Sequence, residues 1–304
     1  RHGRHGRHGW YAGHGRYGLL IYRPTLECFG AASCGPIFNG EHIVTELMEK
    51  VVAIIQETAA EIVLPRFKAL TTEQIKEKSG PGDLVTIADI EAEDKLSRAF
   101  KHLVIGSEVV GEEVTSKKPD TIHLLSSAPL VWVIDPIDGT KNFTKGNHLF
   151  CIMVCLVRFG TPVLAVIFDP LNDRYIAAEE GSGSWLHKTT DSSAEKLKVA
   201  EAVKLDQMSG FLSLGGFKDR PTRDKMRGLA DQVFKSYNNL GCTGHEYVQL
   251  VMDDKHFTIN YRTFPWDHLP GSLIHSEAGG YQASFYGHKY NPTKITRGLV
   301  SVPS

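Results

Sequence analysis

The chain of 304 residues has no long apolar run, and its charges nearly balance. Its longest uncharged apolar run, residues 149–157, is far shorter than the roughly 20 residues of a membrane-spanning helix. Lys plus Arg number 34 and Asp plus Glu number 35, so the overall charge favours neither nucleic acid nor an anionic membrane as a partner. We therefore expect a water-soluble protein with no nucleic-acid or membrane partner.

Cysteine is also scarce. The chain has an odd number of cysteines, and they follow no spacing typical of a disulfide framework: Cys28, Cys34, Cys151, Cys155 and Cys242. This favours a reducing, cytoplasmic setting. Cys151 and Cys155 lie in an apolar, strand-like run with no second pair of ligands nearby in the sequence. We interpret them as small buried hydrophobic residues rather than as a metal site.

Acidic residues are absent before Glu27, and Arg-His-Gly occurs three times in succession from Arg1. Residues 1–42 lack the apolar periodicity that builds a core, so we expect a disordered Gly/His/Arg-rich leader, derived from an expression vector or otherwise non-native. Two alternatives remain for it: adventitious binding of a transition metal by its histidines, and a basic segment like a transit peptide.

Residues 43–188 combine helical and strand patterns. Apolar residues recur at steps of three and four over 43–63, up to Pro65, which predicts a long amphipathic helix. Shorter helices are predicted over 72–78 and 89–102. Strands are predicted at 104–106, 130–134, 149–159, 162–168, 174–179 and 184–187. Because short turns separate the last four strands, we expect an antiparallel meander and an α+β first domain.

The polar segment 188–198 is the best candidate boundary, which gives a second domain at 189–304. Strands and helices alternate beyond it, and this order is typical of an α/β unit. Strands are predicted at 210–214, near Tyr237 and at 256–260, and helices at 222–234, at 245–253 and from about Asp267.

Residues 132–143, Trp-Val-Ile-Asp-Pro-Ile-Asp-Gly-Thr-Lys-Asn-Phe, carry the densest chemistry. Pro136 turns the chain after a predicted strand, so the carboxylates of Asp135 and Asp138 can share one small volume. With the carbonyl of Ile137 between them they offer three hard oxygens, which suit Mg²⁺. Gly139 then leads into a predicted helix start, where exposed N–H groups can bind phosphate. Taken alone, Asp-Pro-Ile-Asp-Gly can equally be a plain turn.

The whole of 132–143 resembles the signature of the inositol monophosphatase family, Trp-x-x-Asp-Pro-x-Asp-Gly-Thr-x-Asn-Phe. The family's other blocks also appear in order. Two precede this stretch, Asp83-x-Val85-Thr86-x-x-Asp89 and Gly111-Glu112-Glu113, and two follow it, Trp266-Asp267 and Glu277-Ala278-Gly279-Gly280. The resemblance extends from about residue 45 to the C-terminus. It implies a layered α-β-α-β-α sandwich with an antiparallel sheet in the first half and a mixed α/β second half.

The resemblance also implies a metal centre. Glu112, Asp135 and the Ile137 carbonyl would hold one Mg²⁺, and Asp135, Asp138 and Asp267 a second, with Asp135 bridging the two. A third, weaker Mg²⁺ at Glu112 and inhibition by lithium are further family expectations.

The catalytic roles are likewise implied by the family. Water on the Glu112 side would be the nucleophile, and Thr140, hydrogen-bonded to Asp89, would orient it and accept its proton. The amides of Gly139 and Thr140 would hold phosphate oxygens.

Simpler interpretations compete with these roles. Asp89 can be only a helix N-cap, and Asp267 can likewise cap the last helix. Glu112 and Glu113 occur in a charged segment, where exposure to solvent is usual. Lys78 stands at the lysine position of the family's mobile loop, and we expect it to be mainly solvated.

The sequence departs from the family where the substrate alcohol would bind. Asn260 replaces the glutamate that inositol-specific members carry seven residues before the last metal aspartate, and Thr243 replaces a methyl-bearing residue. We therefore expect Thr243 and Asn260 to select the substrate. Arg262 and His245 could face the leaving group, although a structural or exposed role is commoner for such residues.

Together these observations predict a Mg²⁺-dependent phosphatase that acts on a small phosphorylated alcohol, with inositol monophosphate as first choice. Histidinol phosphate, a 3′-phosphonucleotide and a sugar phosphate are alternatives with the same chemistry. A regulatory or interaction protein of the same fold is an alternative of another class. Relatives are commonly dimers, so a homodimer is expected.

Overall fold

The computed structural model describes residues 45–78, 83–189, 193–217, 219–252, 254–292 and 298–304. The predicted leader, with Cys28 and Cys34, lies outside these ranges. The helices are α1 Glu46–Thr58, α2 Ile87–Leu103, α3 Glu112–Lys117, α4 Leu124–Ser127, α5 Thr140–Thr144, α6 Arg220–Val233, α7 Thr243–Val251 and α8 Pro265–Glu277.

The strands form three sheets. They are β1 Ile75–Glu77, β2 Leu84–Thr86, β3 Glu108–Gly111, β4 Leu130–Asp138, β5 Cys151–Arg158, β6 Thr161–Asp169, β7 Arg174–Glu179, β8 Gly183–Lys188, β9 Ala194–Leu197, β10 Ser209–Ser213, β11 Ser236–Asn238, β12 Phe257–Asn260, β13 Gly280–Ser284 and β14 Leu299–Pro303. β1 and β2 pair as a small antiparallel hairpin.

The amphipathic pattern of residues 43–63 gives the long helix that it predicts. Thr45 caps α1 by accepting a hydrogen bond from the Met48 N–H, and α1 continues directly into a π-helical turn, Ala59–Val63. Its apolar positions are buried, with Val51 and Ile55 fully enclosed. Burying one such side chain contributes about 1.5 to 3 kcal/mol, so this face fixes the helix against the sheet below it.

The first large sheet has seven strands in the order β3-β4-β5-β6-β7-β8-β9. The four predicted meander strands are present as β5 to β8, and each pairs antiparallel with the next, as expected. β3 pairs parallel with β4, so one edge of the sheet departs from the antiparallel pattern. β9 pairs with β8 beyond residue 188, so this sheet extends into the polar segment where we place the domain boundary, and that division stays a prediction.

Two local predictions are wrong. Residues 104–106 are not a strand: α2 ends at Leu103, and Gly106 turns with φ +85° before β3 begins at Glu108. Of the apolar pair in this segment, Val104 is buried in the core at the end of α2, whereas Ile105 is 50% exposed. Residues 72–78 are not a helix but a 3₁₀ turn followed by β1, since pairing with β2 outweighs a weak helical propensity.

Alternation along β5 divides the core. Ile152 and Val154 face the cluster that contains α1 and α2, whereas Cys151 and Met153 face the cluster that contains α7 and α8. Both faces of this sheet are therefore covered by helices, and β5 is buried along nearly its whole length.

The second sheet has five strands in the order β11-β10-β12-β14-β13. β10 pairs parallel with both β11 and β12, whereas β14 pairs antiparallel with β12 and β13. The α/β second half is thus present, with β13 and β14 as two strands that the pattern does not predict. α6 packs on this sheet through Ala230 against Leu212 and Leu214. Within the described residues, no helix is both long and apolar enough to cross a membrane.

Candidate active site

The end of β4 places two carboxylates together. The pairing of β4 with β5 shifts register between Asp135 and Asp138, where Pro136 interrupts the ladder. Oδ1 of Asp135 accepts a hydrogen bond from the Ile137 N–H at 3.1 Å, which holds the turn. Asp135 is 1% and Asp138 8% exposed, so two acids lie in a nearly dry volume at the strand's end.

Gly139 is required by the turn that follows. Its φ is +88°, a conformation that residues with a side chain rarely adopt, and a Cβ there would lie 2.7 Å from the Leu149 carbonyl oxygen. Both the backbone conformation and the lack of space therefore exclude a larger residue. The chain then enters α5, and the Thr140 hydroxyl lies 3.0 Å from Oδ1 of Asp89 and 3.0 Å from the Ile137 carbonyl oxygen. A hydroxyl has one proton, so it donates to one of these acceptors at a time.

Asp89 is not an N-cap, because Thr86 caps α2. Oδ2 of Asp89 instead accepts from the Thr86 N–H at 2.8 Å and from the Thr86 hydroxyl at 2.5 Å, which completes a capping box. Its other oxygen is thereby aimed at Thr140. Burial raises the pKa of Asp89 to about 6, against the hydrogen bonds from Thr86 that lower it.

Glu112 and Glu113 are not in a solvated loop; they begin α3. The side chain of Glu112 is 21% exposed and that of Glu113 4%. Glu93 of α2, which the sequence gives no reason to select, accepts hydrogen bonds from the N–H groups of Glu113 (2.7 Å) and Val114 (2.8 Å). Gly111 admits this carboxylate, because a Cβ there would lie 2.3 Å from Cδ of Glu93. A buried acid thus fixes the start of α3 and with it Glu112.

Lys78 is not solvated. Its side chain is 10% exposed, and its ammonium lies 2.5 Å from Oε1 of Glu112 and 2.8 Å from Oε1 of Glu113. Burial lowers the pKa of Lys78, but the two carboxylates outweigh it and raise that pKa above its ordinary range. The acidic cluster therefore contains one firmly held positive charge.

Asp267 joins the cluster from the first turn of α8, which begins at Pro265. Burial and then Asp138 raise its pKa to about 7. Burial likewise raises the pKa of Asp135 and of Glu112 well above the usual range, and the neighbouring carboxylates raise both further. Four acids from three parts of the chain, the start of α3, the end of β4 and the start of α8, repel one another in a largely enclosed site. Their hard oxygens and mutual repulsion fit divalent cations such as Mg²⁺.

A second group of ligand atoms adjoins Asp138. Its Oδ2 lies 3.2 Å from Sγ of Cys242 and 3.8 Å from Sγ of Cys151, and the two sulfurs are 3.7 Å apart. The Gly244 N–H donates to the same oxygen at 2.5 Å. In the part of the chain that the structure describes, this is the only group of three His, Cys, Asp or Glu ligand atoms lying within 4.8 Å of one another. Cys151 and Cys155 are buried, as predicted, but the partnership of Cys151 with Cys242 has no signal in the sequence.

The expected substrate-selecting residues lie on the second half of the chain. Thr243 is half-buried at the start of α7. Asn260 is 4% exposed, and its amide donates to the Thr258 hydroxyl at 2.8 Å. His245 is buried, with Nε2 3.1 Å from the Phe150 carbonyl oxygen, which is a structural position.

The model of the inositol monophosphatase family matches residues 44–301. The chain belongs to this family. It is therefore a phosphatase, a phosphoric monoester hydrolase, of a family whose members are generally metal-dependent.

Relatives of known name cover most of the chain. An inositol-1-monophosphatase of Bacillus subtilis is 27% identical over 246 residues, which are 81% of this chain and 88% of the relative. A fructose-1,6-bisphosphatase/inositol-1-monophosphatase of Thermotoga maritima is 28% identical over 72% of this chain and 78% of its own. A Nus factor SuhB of Xylella fastidiosa is 28% identical over 76% of this chain and 79% of its own.

Solved structures establish the layered fold. An inositol monophosphatase of Thermotoga maritima superposes with a TM-score of 0.71 at 22% identity, covering 85% of this chain and 92% of its own. The SuhB protein of Bartonella henselae superposes with a TM-score of 0.73 at 19% identity, covering 86% of this chain and 95% of its own. The expected inositol monophosphatase sandwich is thereby confirmed.

Proposed function

We propose that this member of the inositol monophosphatase family hydrolyses a small phosphorylated alcohol with Mg²⁺ as cofactor, and that inositol monophosphate is the first substrate to test. The observation that carries the proposal is the cluster of Glu112, Asp135, Asp138 and Asp267 beside the pair of Thr140 and Asp89. Burial and then the neighbouring acids raise the pKa values of Glu112, Asp135 and Asp267.

Two Mg²⁺ ions, with a third as a weaker possibility, would be held by Glu112, Asp135, Asp138, Asp267 and the carbonyl of Ile137. When bound, they supply positive charge to the phosphate and lower the pKa of water. The described contacts of Asp138 fall on Oδ2, which leaves Oδ1 for the ion. A hydrogen bond to a carboxylate is stronger than one to a carbonyl, so we expect Thr140 to donate to Asp89 and to leave the Ile137 oxygen available.

Thr140 and Asp89 serve the proton transfer. While Thr140 donates to Oδ1 of Asp89, its oxygen can accept a hydrogen bond from the attacking water. As the water attacks phosphorus, its proton passes to Thr140 and the hydroxyl proton of Thr140 passes to Asp89. The bond from phosphorus to the alcohol oxygen breaks at the same time, and the departing oxygen takes a proton from solvent. With a pKa of about 6, Asp89 is ionised at neutral pH and close to the range in which a general base works best.

The phosphate would be held by the amides of Gly139 and Thr140, which the left-handed Gly139 exposes beside the carboxylates. Lys78 adds positive charge on the Glu112 side. Both groups favour a dianionic phosphate monoester over a neutral ligand.

The choice of alcohol belongs to Thr243 and Asn260. Relatives carry names that include inositol-1-monophosphatase and fructose-1,6-bisphosphatase/inositol-1-monophosphatase, so sugar phosphates join histidinol phosphate and a 3′-phosphonucleotide as alternative substrates. A regulatory role is the alternative of another class, supported by relatives named Nus factor SuhB.

The decisive measurement is phosphate release across a panel of these esters with and without Mg²⁺. We expect turnover of at least one ester that requires Mg²⁺. Asp135→Asn should lower kcat on the order of 1,000-fold, because the bridging ligand loses its charge. The exposed Asp120→Asn is the matched control. Silence across the panel would favour the regulatory alternative, and full turnover by Asp135→Asn would contradict the metal assignment.

Three further properties are proposed on the same basis. Lithium should inhibit, the protein should form a homodimer, and it should work in a reducing, cytoplasmic compartment, which suits the free thiols of Cys151, Cys155 and Cys242.

A further inference from the structure

The cluster of Asp138, Cys151 and Cys242 has a donor set that the hard-metal site does not use. Two buried thiols and one carboxylate oxygen face one another at 3.7, 3.2 and 3.8 Å. Cys242 directly precedes Thr243, and neither thiol is among the residues that the family resemblance assigns to metal or phosphate. The proposed hydrolysis depends on carboxylates, a hydroxyl and backbone amides. It does not use the thiols of Cys151 and Cys242.

The spacing matches a tetrahedral soft-metal site. Bonds of about 2.3 Å from Zn²⁺ to sulfur and about 2.0 Å to oxygen place two sulfurs roughly 3.8 Å apart and a sulfur and an oxygen roughly 3.5 Å apart. The three observed separations lie within about 0.3 Å of these values. An ion could therefore bind all three atoms with little movement of the backbone.

Glycines hold this geometry from both sides. A Cβ on Gly244 would lie 2.3 Å from Sγ of Cys151, and one on Gly139 would lie 3.1 Å from Cβ of Cys242. The neighbouring Gly241 is exposed, so the backbone beside Cys242 reaches the surface although the Cys242 side chain is buried. The thiols are thus confined yet close to the surface.

We propose that Asp138, Cys151 and Cys242 form a second metal site, selective for a soft divalent cation of the Zn²⁺ or Cd²⁺ class. Thiolate sulfur favours these ions strongly, whereas Mg²⁺ requires oxygen ligands. Binding forms two metal–sulfur bonds and one metal–oxygen bond, and each thiol releases its proton to the buffer.

Resting on the proposed function, the site has a consequence for activity. Asp138 belongs to both donor sets, with Oδ2 toward the thiols and Oδ1 left for Mg²⁺, so a soft ion on Oδ2 withdraws negative charge from the carboxylate that Mg²⁺ uses and inhibits hydrolysis. Because Mg²⁺ cannot replace the ion at sulfur, excess Mg²⁺ should not restore full activity.

The test uses the full chain with Cys28→Ala and Cys34→Ala, reduced with a phosphine, so that no thiol from residues 1–42 contributes. Cd²⁺ is added in the presence of excess Mg²⁺ while the ultraviolet Cd–thiolate charge-transfer band is recorded. We expect one Cd²⁺ to bind per chain, with a charge-transfer band whose intensity corresponds to two thiolates, and about two protons to be released by the thiols. Cys151→Ala or Cys242→Ala should abolish the charge-transfer band that two thiolates give and weaken the binding of Cd²⁺ by at least about 100-fold.

Cys155→Ala is the matched control, since this buried thiol lies near the Leu156 carbonyl rather than near the cluster, and its variant should keep the full band. Circular dichroism of each variant verifies its fold, and Cys242→Ser offers a smaller change if alanine unfolds the protein. A band that survives both cluster substitutions, or that excess Mg²⁺ removes, would overturn the site. The band needs no turnover, so a protein that binds Cd²⁺ but hydrolyses nothing keeps this inference and loses the proposed function.

Discussion

At the scale of the residue, the hydroxyl of Thr140 carries the sharpest chemical expectation. It contacts both the buried carboxyl group of Asp89 and the Ile137 carbonyl beside the metal-site carboxylates. A threonine whose role is structural could be replaced by valine, which has the same shape, at the cost of one hydrogen bond of about 1 kcal/mol. A threonine that relays a proton could not.

We therefore predict that Thr140→Val lowers kcat by about 100- to 10,000-fold and leaves the stability nearly unchanged. Thr140→Ser, which keeps the hydroxyl, should retain most of the activity. Steady-state kinetics at saturating Mg²⁺, with thermal unfolding of each variant, checks the prediction. Equal losses in the valine and serine variants would show that the methyl group, and not the hydroxyl, is what matters.

At the scale of the element, the start of α3 depends on a carboxyl group from α2. Glu93 accepts hydrogen bonds from the N–H groups of Glu113 and Val114, and α3 is only six residues long, so these bonds hold the backbone of its first turn while Lys78 pairs with its side chains. Glu112 lies in that turn. Glu93 is therefore a positioning residue that acts through Glu112.

Glu93→Gln should raise the Mg²⁺ concentration for half-maximal activity by about 10-fold and destabilise the fold by about 1 to 3 kcal/mol, because glutamine offers one acceptor oxygen to the two buried N–H groups. Mg²⁺ titrations of the rate and urea unfolding measure the two effects. Asp94→Asn on the same helix is the control, since its ion pair with Arg98 is exposed and contributes little. An unchanged Mg²⁺ requirement in Glu93→Gln would refute the positioning role.

Elements with strong local patterns could be predicted from the sequence. α1, α2 and the meander have regular apolar spacing and clear turn residues, whereas β1 and β3 are short strands of three and four residues that depend on pairing with β2 and β4, which spacing does not reveal. The apolar residues Val104 and Ile105 indicate a strand by composition, yet they follow a helix whose end the sequence does not mark.

The candidate site divides in the same way. Asp135 and Asp138 are three residues apart and predict an acidic turn directly, whereas Asp267 could be included only through the family resemblance. Glu93, the burial of Lys78 and the pairing of Cys151 with Cys242 arise from tertiary contacts between distant segments. No local pattern carries such contacts, so the soft donor set next to Asp138 could not be foreseen.

At the scale of the whole molecule, buried ionisable groups make stability depend on pH in opposite directions. Burial lowers the pKa of His275 to about 4, and neither of its ring nitrogens has a hydrogen-bond partner among the described residues. Burial raises the pKa of Glu246 to about 8. The stability linked to His275 is present above its unfolded pKa of about 6.5 and is lost as pH falls toward 4, whereas that linked to Glu246 is present at low pH and is lost as pH rises toward 8.

Both effects act between pH 5 and pH 7, so the pH dependence of the free energy of unfolding of the parent protein cannot separate them. The difference in that free energy between a variant and the parent can. His275→Leu should remove about 2 kcal/mol of the loss in unfolding free energy between pH 7 and pH 5. The parent loses this stability because residue 275 binds a proton in the unfolded chain but not in the folded core, and leucine binds none in either state. Urea unfolding at both pH values measures this. His102→Leu, at an exposed position of α2, should keep the parent's pH dependence. If His275→Leu also keeps it, the ring is protonated within the fold, and the interior around α8 and Tyr247 is more accessible to water than its burial implies.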